Sequence, residues 1–202
     1  QRKKESFRIL GISQIETEKI LCGVPFLFYE DTILTNLLTI ADKLIQGGSF
    51  FYFIFFPSEK DEKTIKNSIK NHRFKSKSAS SRFKIVPMHS DCYRFILSSC
   101  DFAILFHTTI FGLEYSPQLS DVIQFGLPVL AFKHGPVCEA VKEGENGFIF
   151  DDEIELAKLL NRILNEKSVN LEKLRGFYSS SKFVTKWEIE WKKCFDMIIN
   201  VH

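Results

Sequence analysis

Residues 121–132, Asp-Val-Ile-Gln-Phe-Gly-Leu-Pro-Val-Leu-Ala-Phe, carry the pattern that decides the fold. The pattern predicts a helix that ends at Gly126, a turn at Leu127-Pro128, and an apolar run typical of a buried strand. A helix that passes through so short a turn into a buried strand is a unit of α/β domains, because it joins the helical layer to the sheet. The same alternation continues on both sides of this stretch.

Strand-like and helix-like segments alternate from about residue 24 to residue 166. The strand-like runs are Val24–Glu30, Phe50–Pro57, Phe83–Met88, Phe102–Thr108, Pro128–Phe132 and Gly147–Phe150. The predicted helices are one capped by Asp31 and ended by Gly47-Gly48, Glu59–His72, one capped by Ser90 that runs to Cys100, Ser116–Gly126, Pro136–Glu143, and one capped by Asp151. This order predicts an α/β fold, a doubly wound parallel sheet of the Rossmann-like kind, whose ligands sit beyond the carboxyl ends of the strands.

The pattern changes after Glu166. Two helices are predicted without a strand between them, at Leu171–Lys182 and Val184–Ile199, and Trp187, Trp191, Phe195 and Ile198 share one face of the second. The sequence therefore predicts an α/β domain over residues 1–166 and a helical tail over residues 167–202 that packs on it.

Composition excludes several classes of protein. The net charge of +2 gives no global field for nucleic acid, so no nucleic-acid partner is expected. The five cysteines are odd in number, and none forms a Cys-x-x-Cys pair, which favours free thiols in a reducing compartment over zinc or redox motifs. No apolar run approaches the roughly 20 residues of a membrane-spanning helix. The chain begins Gln-Arg-Lys-Lys without a Met, which suggests a segment of something longer.

A basic segment covers residues 60–84. It carries nine Lys or Arg and two acidic residues. Such a run can contact anionic lipid headgroups or an acceptor diphosphate. The alternative is a solvated loop around Arg73–Arg82, which is the commoner role of a charge run.

Residues 107–121, His-Thr-Thr-Ile-Phe-Gly-Leu-Glu-Tyr-Ser-Pro-Gln-Leu-Ser-Asp, leave an apolar strand and enter a helix. Gly112 permits a close backbone approach, and the helix N-terminus offers N–H groups suited to a phosphate. Asp121 lies about one and a half turns into the helix, where its carboxylate can accept hydrogen bonds from a ribose diol. The alternative is that Gly112 makes an ordinary turn and Asp121 lies on the helix surface.

A third stretch, Glu139-Ala-Val-Lys-Glu-Gly-Glu-Asn-Gly147, contains a tight turn at Asn146-Gly147. With Asp121 and the Gly-Leu-Pro-Val of residues 126–129, it resembles the donor domain of GT-B glycosyltransferases. Those enzymes carry an acidic residue, a Gly-Leu-Pro-Val turn and strand, a Glu, and then Gly-x-Asn-Gly. In that superfamily the acidic residue, here Asp121, holds the ribose of the nucleotide.

The resemblance is narrower over about residues 83–199. The order Cys100-Asp101, an apolar strand, His107-Thr-Thr109, Gly112-Leu-Glu114 and Asp121 is similar to the chitobiosyldiphosphodolichol β-mannosyltransferase family. That family has His-Thr-Ser-Ser-Ser-Gly-Leu-Asp-Leu-Pro-Met-Lys-Val-Val-Asp at this place, with the same length. Its C-terminal Trp-rich helix resembles the segment with Trp187 and Trp191.

The resemblance implies transfer of mannose from GDP-mannose, with inversion, to a lipid-linked oligosaccharide acceptor, dolichol-diphosphate-linked chitobiose. It implies no metal and no resident cofactor, a place on the cytosolic face of the endoplasmic reticulum membrane, and a chain that is itself soluble. The partner would be an N-terminal acceptor domain, to which residues 167–202 could cross. The catalytic base stays unknown. The residues that the resemblance assigns to the nucleotide sugar are Pro87, Met88, His107, Thr108, Thr109, Gly112, Leu113, Glu114, Gln118, Asp121, Lys133 and His134.

This sequence departs from the family in its loop. Ile110-Phe111 replace the family's Ser-Ser, and Met88 replaces the Trp that follows a Pro at the place of Pro87. Gln118 replaces a Lys expected to face the diphosphate. Lys133 and His134, at the end of a strand, could supply the missing positive charge, or they could be ordinary loop residues. His107 could act as a base or ligate a metal, but a hydrogen bond to the donor or to the backbone is favoured because no second ligand stands at metal spacing.

Three hypotheses follow. The chain is the donor half of a two-domain enzyme, inactive alone; a soluble donor subunit recruited by a membrane partner, with the apolar face of Val184–Ile199 as the docking helix; or a non-catalytic nucleotide-binding or scaffold module. A flavodoxin-like regulator would leave the Gly-Leu-Pro-Val and Glu-Asn-Gly stretches as coincidence.

Overall fold

The structure, a computed structural model, describes residues 2–13, 20–25, 31–106, 116–180, 191–193 and 195–196. Its centre is a sheet of six parallel strands in the order β3-β2-β1-β4-β5-β6. The strands are β1 Ile20–Pro25, β2 Phe51–Phe56, β3 Phe83–Ile85, β4 Phe102–Leu105, β5 Val129–Phe132 and β6 Gly147–Phe150. This is the doubly wound order, so the predicted fold class is confirmed.

Helices cover both faces of the sheet. They are α1 Arg2–Ile9, α2 Asp31–Gln46, α3 Glu62–Asn71, α4 Tyr93–Ser98, α5 Pro117–Gln124, α6 Val137–Ala140, α7 Glu153–Leu164 and α8 Leu171–Ser180. A short 3-10 helix at Ser80–Arg82 precedes β3. Residues 191–193 and 195–196 are helical, while the other residues of the predicted helix Val184–Ile199 lie outside the described ranges.

Two apolar cores lie on opposite faces of the sheet. β2 shows why, since all six of its residues are buried and successive side chains point to opposite faces. Phe51, Phe53 and Phe55 pack with α2, α3 and α7, while Tyr52, Ile54 and Phe56 pack with α1, α4, α5 and α6. A strand buried on both faces needs apolar residues throughout, which explains the continuous run Phe51–Phe56.

Several predicted ends differ by up to three residues, such as β3, which ends at Ile85 and not at Met88, and four larger errors stand out, three in boundaries or caps and one in a missed helix. The first strand begins at Ile20, because β1 pairs with β2 from Ile20 onward, and not at residue 24. The helix predicted from Ser90 begins at Tyr93, although the Ser90 hydroxyl still accepts the N–H of Cys92 at 3.3 Å. The cap of α7 is Asp152, whose carboxylate accepts the N–H of Glu155 at 2.8 Å. Asp151 instead pairs with Lys133 at the surface. The fourth error is the absence of α1 from the sequence prediction, although Phe7 is fully buried.

The helix-to-strand passage that decided the fold forms as predicted. Gly126 adopts a φ of 64°, and the N–H groups of Gly126 and Leu127 bond to the carbonyls of Ile123 and Val122, which ends α5 in a Schellman motif. Only a residue tolerant of positive φ fits there without strain.

The Glu-Asn-Gly stretch has an architectural role. Asn146 is fully buried, and its side chain accepts the N–H of Lys142 at 2.7 Å and donates to the carbonyl of Ala140 at 2.9 Å. A Cβ on Gly147 would lie 2.2 Å from the carbonyl oxygen of Val129 on the facing strand. The Asn-Gly pair therefore fixes how closely β6 approaches β5.

The tail helix α8 lies against the α/β domain. Leu174 is buried in the α2–α7 core, and the Arg175 guanidinium donates to the Cys100 carbonyl at 2.6 Å. Whether residues 167–202 form a unit that crosses to another domain stays a prediction.

Candidate functional site

The centre of the sheet sets the expected position of a ligand. The strand order reverses between β1 and β4, which lie side by side, and a crevice opens at the carboxyl ends of such strands. Residues 26–30 and 107–115 follow these two strands. His107, Thr108, Thr109, Gly112, Leu113 and Glu114 lie outside the described residues, so their predicted roles stay predictions.

Asp121, the predicted ribose ligand, lies on α5 and turns its carboxylate toward α4. One oxygen accepts the hydroxyl of Tyr93 at 2.8 Å, and the other accepts the guanidinium of Arg94 at 3.2 Å. The Asp121 side chain is 19% exposed, so it is neither a solvated surface residue nor sealed in the core. Each carboxylate oxygen can accept about two hydrogen bonds, which leaves capacity for a ligand diol.

Tyr93 holds this carboxylate from a fixed position. The residue is buried, and its ring makes an edge contact with Phe56 at a centroid distance of 5.3 Å. Burial raises the pKa of the Tyr93 hydroxyl far above its usual value, and the hydrogen bond to Asp121 raises it further. The hydroxyl therefore stays protonated and acts as a permanent donor to Asp121.

The segment of Pro87 and Met88, which the resemblance assigns to the nucleotide sugar, leads directly into Tyr93. The N–H of Met88 donates to the Pro57 carbonyl at 2.9 Å, and the N–H of Ser90 donates to the Pro87 carbonyl at 2.9 Å. The N–H of Tyr93 then donates to the Ser90 carbonyl at 2.9 Å. Pro87 and Met88 are both partly exposed. The structure thus joins the Pro87–Ser90 turn to Asp121 through the first residues of α4.

The N-terminus of α5 offers fewer donors than the sequence suggested. Pro117 has no N–H, and the Ser116 side chain and carbonyl both accept the N–H of Leu119 at 3.0 Å. The N–H of Ser120 bonds to the Ser116 carbonyl at 3.3 Å. Among the described residues, only the N–H of Gln118 in this first turn has no partner. The serine cap thus takes up the Leu119 N–H, and phosphate binding at this helix N-terminus stays a prediction.

Gln118 occupies the position where the family has a Lys. It is 4% exposed, and its side-chain oxygen has no hydrogen-bond partner among the described residues. A buried unsatisfied amide oxygen costs free energy of about 1–3 kcal/mol. The position is too buried to hold a solvated cation.

Lys133 and His134 follow β5. The Lys133 ammonium pairs with Asp151 at 3.0 Å, and this hydrogen bond raises its pKa. Both partners are more than half exposed, so the pair contributes little to stability. A His134 ring nitrogen lies 3.2 Å from the Phe132 carbonyl oxygen. No contact given by the described residues joins this pair to Asp121.

Sequence reasoning missed Tyr93 and Arg94 as members of the site. Neither belongs to a motif, and they stand 28 and 27 positions from Asp121 along the chain. No sequence motif signals this contact, because it depends on how α4 and α5 pack together on one face of the sheet.

Among the described residues, no group of three His, Cys, Asp or Glu side chains is placed to hold a metal ion. Within that same part of the chain, no helix is long and apolar enough to cross a membrane.

Similarity to known proteins covers the region around Asp121. Residues 114–179 match the family described as glycosyl transferases group 1. This range contains Asp121, the Gly-Leu-Pro-Val turn and the Glu-Asn-Gly stretch. The chain resembles the C-terminal half of a GT-B glycosyltransferase. The chitobiosyldiphosphodolichol β-mannosyltransferase of Dictyostelium discoideum is 30% identical over 124 residues, which are 55% of this chain and 25% of that protein.

A second relative bears a different kind of name. The "UDP-glycosyltransferase TURAN" of Arabidopsis thaliana is 27% identical over 120 residues, covering 58% of this chain and 26% of that protein. The chain therefore spans about a quarter of the length of the curated relatives it matches.

Solved structures place the fold in the same group. Anabaena HepE in complex with UDP-glucose superposes with a TM-score of 0.65 at 17% identity, over 96% of this chain and 52% of that one. The C-terminal domain of a group 1 glycosyl transferase, LpcC of Francisella tularensis, superposes with a TM-score of 0.62 at 15% identity, over 92% of both chains. The second match is to a C-terminal domain of about the same extent as this chain. These likenesses establish the fold of the chain.

Proposed function

We propose that this chain is the nucleotide-sugar-binding half of a glycosyltransferase that transfers mannose from GDP-mannose to dolichol-diphosphate-linked chitobiose. The acceptor site would lie in a second, N-terminal domain, across a cleft at the carboxyl ends of the strands. The transfer reaction would take place on the cytosolic face of the endoplasmic reticulum membrane, without a metal ion. The name of the Dictyostelium relative motivates the choice of donor and acceptor.

One observation carries the binding role. Asp121 presents a partly exposed carboxylate beside the Pro87–Ser90 turn, and two donors, Tyr93 and Arg94, fix its orientation. A positioned carboxylate suits a vicinal diol, because two hydroxyl groups can donate to one carboxylate. A ribose at Asp121 would place the attached base on the side of the Pro87–Ser90 turn.

The diphosphate needs a cation that Gln118 does not supply. Arg94 is the basic side chain that contacts Asp121 among the described residues, and it is two-thirds exposed. A planar guanidinium suits a phosphate, because its N–H groups can donate two parallel hydrogen bonds. We assign the compensating positive charge to Arg94 ahead of Lys133, because Arg94 contacts the Asp121 carboxylate and no described contact joins Lys133 to it.

The test is calorimetric titration of the purified chain with GDP, UDP, ADP and GDP-mannose. UDP belongs in the series because a relative's name and the ligand of HepE both include it. Asp121→Ala should weaken binding at least tenfold, since it removes hydrogen bonds to a charged group worth about 1.5–3 kcal/mol each. Glu145→Ala, a change at an exposed turn carboxylate, should leave binding unchanged.

Two results would count against the proposal. A folded chain that binds none of the four ligands at millimolar concentration has no donor site of its own. Equal losses from Asp121→Ala and Glu145→Ala would remove Asp121 from the site. Tighter binding of UDP than of GDP would still support a glycosyltransferase donor site, but it would contradict GDP-mannose as the donor.

A second candidate function is a non-catalytic nucleotide-binding or scaffold module. Gln118 motivates it, because a buried amide stands where the family has a cation. This candidate predicts no sugar transfer by the full-length protein even when GDP binds. Assay of the full-length protein with GDP-mannose and a lipid-linked chitobiose separates the two. The split-enzyme hypothesis stays a prediction, and co-purification of a membrane protein would support it.

A further inference from the structure

Basic residues are unevenly distributed over the molecule. Residues 60–84 hold nine of the 27 basic residues and two of the 25 acidic residues. The rest of the chain therefore carries 18 basic and 23 acidic residues and is net negative. A nearly neutral protein with one strongly positive face is oriented by any extended negative surface.

Four of these nine basic residues line one groove beside the edge strand β3. The groove has a volume of about 770 Å³ and is lined by side chains of α3, the 72–80 segment and β3. Four cations border it, and an apolar floor lies between them. The cations are Lys66, Lys70, Arg73 and Lys77, and the floor is formed by Ile69, Phe74, Phe83 and Ile85.

The segment that carries the cations is anchored to the domain. The buried carboxylate of Asp42 accepts the N–H of Lys75 at 2.8 Å and the N–H of Ser76 at 3.1 Å. The Phe74 ring stacks on Phe83 at a centroid distance of 5.4 Å. The solvated loop considered from the sequence is therefore anchored to the domain by its backbone and by Phe74.

The cations are available to an outside partner. Lys70, Arg73 and Lys77 are exposed, and none has an acidic group within 4 Å among the described residues. Lys66 pairs with Glu62 on the same helix. Neighbouring like charges without counter-charges repel each other. The approach of an anionic surface therefore lowers the electrostatic energy of this part of the folded protein.

We propose that this groove docks the protein on an anionic phospholipid surface. Lysines predominate, and an ammonium is a point charge suited to diffuse attraction by many headgroups. Single-stranded nucleic acid fits less well, because the groove's aromatic rings are stacked on each other and are not presented to bases.

Docking through this groove would also orient the candidate site. Ile85, at the carboxyl end of β3, lines the groove and stands two residues before Pro87. The groove lies on the sheet face that α2 and α3 cover, whereas α4 and α5 of the candidate site cover the opposite face. This inference goes beyond the proposed function, since lipid binding requires neither a nucleotide nor sugar transfer.

The experiment is co-sedimentation of the purified chain with phosphatidylcholine vesicles, with and without about 30 mol% phosphatidylserine. The chain should bind only the anionic vesicles, and binding should fall steeply between about 0.1 M and 0.5 M salt. The variant Lys70→Gln/Arg73→Gln/Lys77→Gln should lose on the order of a hundredfold in partitioning, about fivefold for each basic residue near the membrane.

A matched control separates the groove from net charge. Lys142→Gln/Lys158→Gln/Lys173→Gln removes the same charge from exposed positions on α7, α8 and the turn after α6. It should keep wild-type partitioning within about threefold, because distant exposed charges are screened. Thermal unfolding of both variants checks that each is folded.

Four outcomes would overturn the proposal. They are no binding of the folded wild-type chain to anionic vesicles, equal binding to neutral vesicles, equal losses in the two triple variants, and tighter binding to a single-stranded RNA at the same salt. Because GDP titration is a separate measurement, failure here leaves the donor-site proposal standing, and the reverse also holds.

Discussion

Removal of one hydroxyl from Tyr93 tests whether the site is organised as the structure indicates. Tyr93→Phe keeps the ring packed on Phe56 and deletes only the 2.8 Å donor to Asp121. A hydrogen bond to a charged group is worth about 1.5–3 kcal/mol. Asp121 is 19% exposed and keeps Arg94, so water can replace part of the loss, and we expect a destabilisation of about 1.5 kcal/mol.

A double-mutant cycle isolates the interaction. Urea unfolding of wild type, Tyr93→Phe, Asp121→Ala and the double variant should give a coupling free energy of about 1 kcal/mol. Tyr52→Phe is the matched control, because it removes a hydroxyl from a buried tyrosine that has no described contact with Asp121. Its coupling to Asp121→Ala should be within about 0.3 kcal/mol of zero.

The same variant should weaken nucleotide binding less than Asp121→Ala does. Tyr93 acts on the ligand through Asp121, so we expect a loss of about threefold to tenfold in affinity, against a larger loss for Asp121→Ala. Coupling below about 0.3 kcal/mol would refute the assigned hydrogen bond. An affinity loss from Tyr93→Phe equal to that from Asp121→Ala, with stability unchanged, would refute the positioning role.

Three further predictions concern stability, each measured by equilibrium unfolding in urea. Gly147→Ala should destabilise the fold by at least about 3 kcal/mol, because its Cβ would lie 2.2 Å from a backbone oxygen. The matched Gly176→Ala in α8, where open space surrounds the glycine, should be neutral or stabilise by up to about 1 kcal/mol. A loss of stability at Gly147→Ala no larger than at Gly176→Ala would contradict the close approach of β6 to β5. Burial raises the folded-state pKa of the Cys22 and Cys100 thiols, so the unfolded chain releases these protons first, and stability should fall as pH rises above about 8.5 by up to about 1.4 kcal/mol per pH unit for each thiol. The double change to alanine should flatten that slope, and an unchanged slope would assign it elsewhere. Asp152→Ala should destabilise the fold by about 1 kcal/mol, because it removes the cap of α7. Asp151→Ala should cost less than about 0.5 kcal/mol, because it removes only an exposed ion pair. A larger loss at Asp151 than at Asp152 would show that Asp151 is the cap.

The sequence was sufficient for elements whose signal is local. Phe51–Phe56 is apolar throughout because both faces are covered, and Gly126 stops α5 because the turn needs a positive φ. The sequence did not give the correct start of the first strand. Ile20–Pro25 includes a Cys and a Gly, and its own residues show no periodic pattern. Pairing with β2 along its full length makes this segment a strand, and pairing is a property of two segments.

Asp121 shows the same division within the candidate site. Its spacing from the Gly-Leu-Pro-Val turn marked it in the sequence as a residue of interest. The sequence contained no sign that Tyr93 and Arg94 would hold its carboxylate, because contacts between α4 and α5 depend on how both helices pack on the sheet. Local chemistry along the chain thus determined the helices, the turns and the fold class. Tertiary structure alone decided which side chains share a site, since a hydrogen bond across 28 positions exists only after the sheet has brought two helices together.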